Sequence, residues 1–331
     1  MHKVQIPGSA AEVCRIGLGG GGLIGGASLR ESIAVFEAAY EAGIRYVDVA
    51  PLYGLAEDVV GNLVQSHRSD FILATKVGIA RPKLPGLFSS VRKTLHPIAL
   101  RLPTVKQFAL RQAQALVTTG LFHPDQVRSS LEDSLRRLRT EWVDILLLHE
   151  PTTGDMTPEL LRELDRFVSS GRVRLLGTGT QEPADHSILY GDVWQHRYAP
   201  GDALPANKSG LRVVHGVLRY GLPLLRTAIS ARPARASALS GRYGFDFFDP
   251  DAHPAILATL ALAADPRSVL LVSSRHSLRI RCCVAQVNWS IARGDTPEYV
   301  EKVGGFLTGD SAAAGMPSGK IARPPRDKEI L

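Results

Sequence analysis

The feature that most constrains this chain is its alternation of short apolar runs with segments of helical period. Apolar runs such as Ile44–Val49, Phe71–Thr75 and Trp142–Leu148 are separated by predicted helices, among them Ala56–Ser66. Continuous apolar strands between helices are typical of a parallel sheet covered on both faces. About eight such repeats follow a short N-terminal β-hairpin. We therefore expect an α/β protein with a (β/α)8 TIM-barrel fold, and a doubly wound sheet is the alternative.

The absence of a clear linker supports one continuous domain. No linker rich in glycine, serine or proline divides it, so residues 1–331 are expected to form a single barrel. Ser28 and Glu31 have the spacing of a capping box and predict a helix that ends near Gly43. About 50 residues between Val214 and Ser268 contain no clear strand, which is long for one crossover.

A glycine pattern near the N-terminus imitates a dinucleotide-binding motif. Gly17, Gly19 and Gly22 satisfy G-x-G-x-x-G after a strand. In a Rossmann fold, however, the helix begins within the motif, whereas the predicted helix cap here comes only at Ser28. The acid expected about 20 residues on is also misplaced, since Asp48 lies 31 residues after Gly17. We interpret the glycines as a flexible loop that lets a large ligand approach.

The net charge is concentrated in one segment. The chain has 39 Lys and Arg against 32 Asp and Glu, giving +7. Residues 79–120 hold seven basic side chains and no acid, so the remainder balances at 39 − 7 = 32 basic against 32 acidic groups. We expect this basic segment to be an insertion after the third barrel strand, with an amphipathic helix over Val105–Val117. It is either a rim that selects an anionic substrate or a solvated surface insertion.

Other classes of protein fit the sequence poorly. The cysteines, Cys14, Cys282 and Cys283, form neither a disulfide framework nor a zinc spacing, so no metal site is expected. No apolar run reaches the roughly 20 residues of a membrane span, and the N-terminus lacks the apolar core of a signal peptide. We expect a cytoplasmic protein without nucleic-acid or stable membrane partners. The oligomeric state stays open.

Four polar side chains follow apolar strands at the end where barrel enzymes carry their active sites. They are Asp48, Tyr53, Lys76 and His149. A tyrosine is a weak acid with a reference pKa near 10, and a neighbouring Lys76 ammonium is expected to lower that pKa. Asp48 can hold Lys76 in place, and His149 can orient a carbonyl oxygen. The set predicts proton donation to a carbonyl that receives a hydride from a cofactor.

These residues resemble the catalytic tetrad of the aldo-keto reductase superfamily, and the resemblance extends from about Val4 to Val287. Its motif here reads Asp48-x4-Tyr53-Gly54-x2-Glu57, followed by Lys76 and His149. The resemblance implies a (β/α)8 barrel, NADPH bound without a Rossmann fold, and reversible conversion of carbonyls and alcohols. It also implies that Tyr53 is the general acid and base.

The resemblance also implies a set of cofactor-binding residues. In the segment similar to the family's adenosine-phosphate site, Ser274 and Arg279 fall on phosphate-binding positions. Ser273 replaces the usual basic residue there, and Arg275 is near enough to substitute for it. Cys282 and Cys283 stand where polar groups usually contact adenine.

Around the nicotinamide the sequence keeps one family feature and loses others. Gln195 keeps the family's amide, His215 replaces the stacking aromatic, and Gly177–Thr180 replaces a Gly-x-Ser-Asn run. We expect an NADPH-dependent reductase acting on a small-molecule aldehyde or ketone. The alternatives are an NADP-dependent sugar or alcohol dehydrogenase running the reverse reaction, and a non-catalytic relative that binds NADPH.

Overall fold

The fold was taken from a computed structural model, which describes residues 3–8, 12–23, 28–82, 118–181, 190–202, 210–292 and 296–309. The expected amphipathic helix at Val105–Val117 and six of the seven basic side chains of the insertion lie outside these residues. At the base of the insertion, Ile79 and Thr119 form an antiparallel bridge. None of the described helices is both long and apolar enough to cross a bilayer.

Within the described residues, eight parallel strands form a closed barrel behind an antiparallel hairpin. Strands β1 (Lys3–Gln5) and β2 (Glu12–Cys14) make the hairpin. The barrel strands follow in sequence order and close where β10 pairs with β3. They are β3 (Ile16–Gly19), β4 (Tyr46–Asp48), β5 (Ile72–Val77), β6 (Val143–His149), β7 (Val173–Thr180), β8 (Val193–Arg197), β9 (Leu211–His215) and β10 (Ser268–Val272). The predicted TIM barrel is confirmed, and the doubly wound alternative is excluded.

The described helices surround the barrel unevenly. They are α1 (Leu29–Glu41), α2 (Ala56–Val64), α3 (Pro124–Leu138), α4 (Pro158–Ser169), α5 (Val217–Ala231), α6 (Pro233–Tyr243), α7 (His253–Ala264) and α8 (Ser277–Ala292). Short helical segments follow at Thr296–Tyr299, Val300–Gly304 and Gly305–Thr308. The long connection between β9 and β10 contains α5, α6 and α7. The described parts of the β7–β8 and β8–β9 connections contain no helix.

Local chemistry sets the helix boundaries that the sequence predicts. At the start of α1 the Glu31 backbone N–H donates to Ser28 Oγ at 3.2 Å, and the Ser28 N–H donates to Glu31 Oε2 at 2.6 Å. The capping box is therefore confirmed. Helix α3 ends at Leu138, and the C-cap residue Arg139 adopts the left-handed conformation with a φ of 52°.

Two hydrophobic clusters define the inside and the outside of the barrel wall. The inner cluster contains Tyr46, Ala74, Ile145 and Val213, and it includes Ile6 and Val13, which flank or belong to the hairpin strands. The outer cluster packs the other faces of the strands against the helices. Because side chains alternate along a strand, each strand sends every second residue into the barrel. This period decides which residues reach the mouth.

Candidate active site

The carboxyl ends of the strands place the expected site residues around one opening. Tyr46 and Ala74 lie inside the barrel, so Asp48 and Lys76, two residues further on, also point inward. The same period carries His149, Gln195 and His215 inward from Leu147, Val193 and Val213. All these strands are parallel, so their ends meet at the same face of the barrel.

Lys76 and Asp48 form an ion pair in the barrel interior. Their side chains are 3% and 2% exposed, and Lys76 Nζ also donates to the carbonyl oxygen of Val49 at 3.3 Å. The side chain of Gln195 hydrogen-bonds the Asp48 carboxylate. Burial lowers the pKa of Lys76 and raises the pKa of Asp48, while the attraction between the two groups opposes both shifts. Mutual attraction is therefore the main influence that favours the charged forms of both groups, and the Gln195 bond adds to it for Asp48.

Tyr53 lies beside this pair on a short helical turn after β4. The turn, Pro51–Tyr53, is closed by a bond from the Tyr53 N–H to the Ala50 carbonyl oxygen at 2.9 Å. Lys76 Nζ lies 5.4 Å from the centre of the Tyr53 ring. Burial, then the charges of Asp48 and Glu150, raise the pKa of Tyr53 above its ordinary value. The net shift of the Tyr53 pKa is therefore opposite to the lowering expected from Lys76, because burial and the two carboxylates disfavour the phenolate.

His149 is a neutral imidazole at the end of β6. The pKa of His149 is lowered to about 3. Burial is the largest cause, and electrostatic interactions with Lys76 and then with His215 lower the pKa further. Burial likewise lowers the pKa of His215 to about 3, with Lys76 the next largest cause. The charge of Lys76 thus acts on both imidazoles, and each can donate one N–H and accept at its other nitrogen at neutral pH.

At the end of β8 the opening has an unsatisfied acceptor beside a glycine. Gln195 Oε1 is buried and has no hydrogen-bond partner among the described residues. A Cβ added to Gly179 would lie 3.4 Å from this oxygen, so the glycine leaves space there. The N–H group of a carboxamide is the kind of donor that would satisfy this acceptor. His215, at the end of β9, lies on the same opening.

The residues expected at the cofactor phosphate follow β10. Ser273 Oγ donates to the Gly19 carbonyl oxygen at 2.9 Å, so Ser273 fastens the β10 end to β3. Ser274 Oγ makes a local turn with the His276 N–H at 3.0 Å. Arg275 and Arg279 are exposed and directed at no described carboxylate. In α8, burial beside Cys282 raises the pKa of the Cys283 thiol to about 11.

Sequence analysis assigns no role to three further residues near the site, which are Glu57, Arg81 and Glu150. Glu150 has a positive φ of 57°, which is uncommon for a non-glycine residue, and its charge acts on Tyr53. Glu57 is fully buried and bonded to Arg81. The motif around Tyr53 contains Glu57, but only the fold reveals that Arg81, counted in the basic segment, is its partner.

Comparison with known proteins identifies a matching family model and several relatives of this chain. Residues 15–222 match the model of the Aldo/keto reductase family. The chain is 31% identical over 168 residues to the D-threo-aldose 1-dehydrogenase of a Pseudomonas species, covering 45% of this chain and 44% of that protein. It is 31% identical over 161 residues to the 6-dehydroglucose reductase of Agrobacterium fabrum, covering 47% and 46%. The matches thus span about half the length of these curated relatives.

A solved structure extends the similarity to the whole barrel. The glycerol dehydrogenase of Gluconobacter oxydans superposes with a TM-score of 0.68, covering 96% of this chain and 98% of that one. At 21% identity this likeness concerns the fold. The segment Ser273–Cys283 lies beyond the residues that match the family model.

Proposed function

Because the chain belongs to the aldo/keto reductase family, we propose that it is an NADPH-dependent oxidoreductase that reduces an aldehyde or ketone to an alcohol. The observation that carries this proposal is the grouping of Tyr53, the Lys76–Asp48 ion pair and His149 at one end of the barrel. Family membership supports oxidoreductase chemistry on small-molecule carbonyls. The cofactor, the direction and the residue roles are proposals.

Tyr53 acts as the general acid in this proposal. Its raised pKa keeps the phenol protonated at neutral pH, so a proton is available for the carbonyl oxygen. The phenolate that remains after transfer is stabilised by Lys76, whose ammonium is 5.4 Å from the ring centre. The neutral His149 donates a hydrogen bond to the same carbonyl oxygen and fixes its orientation. When bound, NADPH supplies the hydride.

The residues around Gln195 fit a nicotinamide. Gln195 Oε1 lacks a partner, and a carboxamide N–H would satisfy it. Gly179 leaves room for that group, and the His215 ring offers a flat uncharged surface for stacking. Ser274, Arg275 and Arg279 would hold the 2′-phosphate, and Cys283 would line the adenine pocket. Guanidinium groups bind phosphate strongly, so NADPH is preferred over NADH.

Direct binding and turnover test this proposal. We expect isothermal titration to detect NADP+ and NADPH binding, and catalytic efficiency with NADPH to exceed that with NADH. A panel of aldehydes and ketones should then show NADPH oxidation. No detectable binding of NADP+ would overturn the assignment, and equal or better efficiency with NADH would overturn the cofactor preference.

Oxidation of a sugar or alcohol is the second candidate, favoured by the dehydrogenase activities named for two of the matched proteins. Oxidation requires Tyr53 to act as a base, and its raised pKa disfavours the phenolate at neutral pH. Reduction should therefore dominate near pH 7, and oxidation should become relatively faster toward high pH. Rates measured in both directions between about pH 7 and 10 separate the two candidates.

A further inference from the structure

Arg81 joins three elements at the turn that carries Tyr53. Its Nη1 donates to the Gly54 carbonyl oxygen at 2.6 Å, and its Nε donates to Asp133 Oδ2 at 3.1 Å. Its Nη2 forms an ion pair with Glu57. The side chain is only 16% exposed. Each nitrogen of the guanidinium thus has its own acceptor, on the turn, on α3 and on α2.

The Glu57 carboxylate connects this arginine to the strand of Lys76. Glu57 lies in the first turn of α2 and is fully buried. Its other oxygen accepts a hydrogen bond from Thr75 Oγ1 at 2.6 Å. Thr75 directly precedes Lys76 on β5, and Gly54 directly follows Tyr53. One ion pair therefore links the backbone neighbours of the proposed acid and of its lysine.

The Gly54 position makes this link mechanically important. Gly54 has φ 68° and ψ −110°, a conformation open essentially to glycine, and its N–H reaches the Pro51 carbonyl oxygen at a long 3.2 Å. Because a glycine backbone has more conformational freedom than that of other residues, a contact to the Gly54 carbonyl oxygen can fix how the chain leaves this turn. The Arg81 guanidinium provides an external constraint on the orientation of the peptide that joins Gly54 to Leu55, one residue beyond Tyr53.

We propose that Arg81 is a positioning residue that fixes the position of the Tyr53 phenol relative to Lys76 and His149. It acts through its contacts with Gly54 and Glu57. This proposal rests on the proposed function of Tyr53. The planar fork of arginine matches the three acceptors, whereas a lysine ammonium of equal charge cannot satisfy them with the same geometry. Loss of the fork should slow catalysis without removing any group that touches substrate or cofactor.

The matched control is Arg137, which shares an acceptor with Arg81. Arg137 Nε donates to Asp133 Oδ2 at 2.9 Å, and its Nη1 pairs with Asp58 at 3.0 Å. None of its described bonds reaches the Tyr53 turn. Arg81→Gln should lower kcat by about 10- to 100-fold while NADPH affinity is retained. The kcat of Arg81→Lys should lie between those of the wild type and Arg81→Gln. Arg137→Gln should keep kcat within about twofold of the wild type.

A second measurement reports on Tyr53 without requiring activity. In protein labelled with 3-fluorotyrosine, the Tyr53 fluorine resonance is assigned by its absence from Tyr53→Phe. We expect Arg81→Gln and Arg81→Lys to shift or broaden this resonance and Arg137→Gln to leave it in place. The double variant Arg81→Gln with Glu57→Gln removes the unpaired buried carboxylate, so it should regain folding stability but not kcat.

The outcomes distinguish the two proposals. A Tyr53 resonance and a kcat that are the same in Arg81→Gln as in Arg137→Gln would overturn the positioning role. Recovery of kcat in the double variant would also overturn it, since the defect would then be only a buried charge. If the wild type reduces no carbonyl compound, the proposed function fails, and the fluorine spectra still decide whether Arg81 orders Tyr53.

Discussion

The ammonium of Lys76 and the carboxylate of Asp48 form an ion pair inside the barrel, with side chains 3% and 2% exposed. They come from adjacent parallel strands, where Asp48 is aligned with Ala74. Because each charge is removed from water, each depends on the other for compensation. The proposed acid, Tyr53, therefore lies next to a compensated pair rather than next to a free cation.

Breaking this pair should destabilise the protein strongly. Asp48→Asn leaves the Lys76 ammonium buried without a counter-charge, and we expect a loss of about 3–5 kcal/mol in the free energy of unfolding. The double variant Asp48→Leu with Lys76→Met removes both charges and should be clearly more stable than the single variant. Urea denaturation measures both. A single variant as stable as the double would contradict a compensated buried pair.

Removing the Tyr53 hydroxyl should affect chemistry rather than cofactor binding. Tyr53→Phe deletes the proposed proton donor, so we expect kcat to fall by about 10²–10⁴-fold. NADPH affinity, measured by titration, should stay close to that of the wild type. The control is Tyr40→Phe, which deletes a hydroxyl that instead donates to Asp70 at 2.9 Å. Comparable turnover in the two variants would refute the role of Tyr53.

Acid should destabilise the fold through the partly buried imidazoles of His149 and His215. Burial lowers the pKa of His149 and of His215 to about 3. In the unfolded chain an imidazole has a pKa of about 6.5, so below that pH the unfolded state binds protons that the folded state excludes. This contribution to stability is complete above pH ~6.5 and is lost as the pH falls toward 3, by up to about 1.4 kcal/mol per pH unit for each imidazole.

The corresponding variant is His215→Gln. The slope of the unfolding free energy against pH reports the number of protons taken up on unfolding. Between about pH 6 and 4 this slope should decrease by the equivalent of about one proton in His215→Gln. His67 is exposed, so water solvates it in both states, and His67→Gln provides the control. An unchanged slope in His215→Gln would show that this imidazole is not excluded from protonation.

Two glycines on β7 should respond differently to a methyl group. A Cβ at Gly177 would lie 2.1 Å from the Val193 carbonyl oxygen, whereas at Gly179 its nearest contacts are 3.4 Å and 3.8 Å. Gly177→Ala should therefore cost about 1–3 kcal/mol of stability and Gly179→Ala less than about 1 kcal/mol. Thermal unfolding compares them. Equal losses would contradict the stated packing.

Gly179→Ala also tests the nicotinamide assignment. The added methyl group occupies the space beside Gln195 Oε1, so NADPH affinity should fall by about tenfold, or about 1.4 kcal/mol, in a protein that remains folded. Titration of the folded variant with NADPH measures this. An NADPH affinity equal to that of the wild type would contradict the placement of the nicotinamide carboxamide beside Gln195.

The elements that sequence analysis predicts best are those with local causes. The Ser28–Glu31 capping box and the strand ending in His149 depend on residues within a few positions of each other. The inward position of Lys76 follows from the two-residue period of a strand. The Tyr53 pKa could not be obtained in this way, because it depends on burial and on Asp48 and Glu150, which come from different strand ends.

By itself the sequence determined a barrel of repeating strands and helices and the polar residues that end its strands, because period, capping and turn chemistry act over short distances. The tertiary structure decided which of these groups meet. It joined Gln195 to Asp48, directed Arg81 to Gly54, Glu57 and Asp133, and made the Tyr53 phenol a weaker acid than its lysine neighbour suggested. These outcomes depend on burial and on contacts between distant segments, and both exist only once the chain has folded.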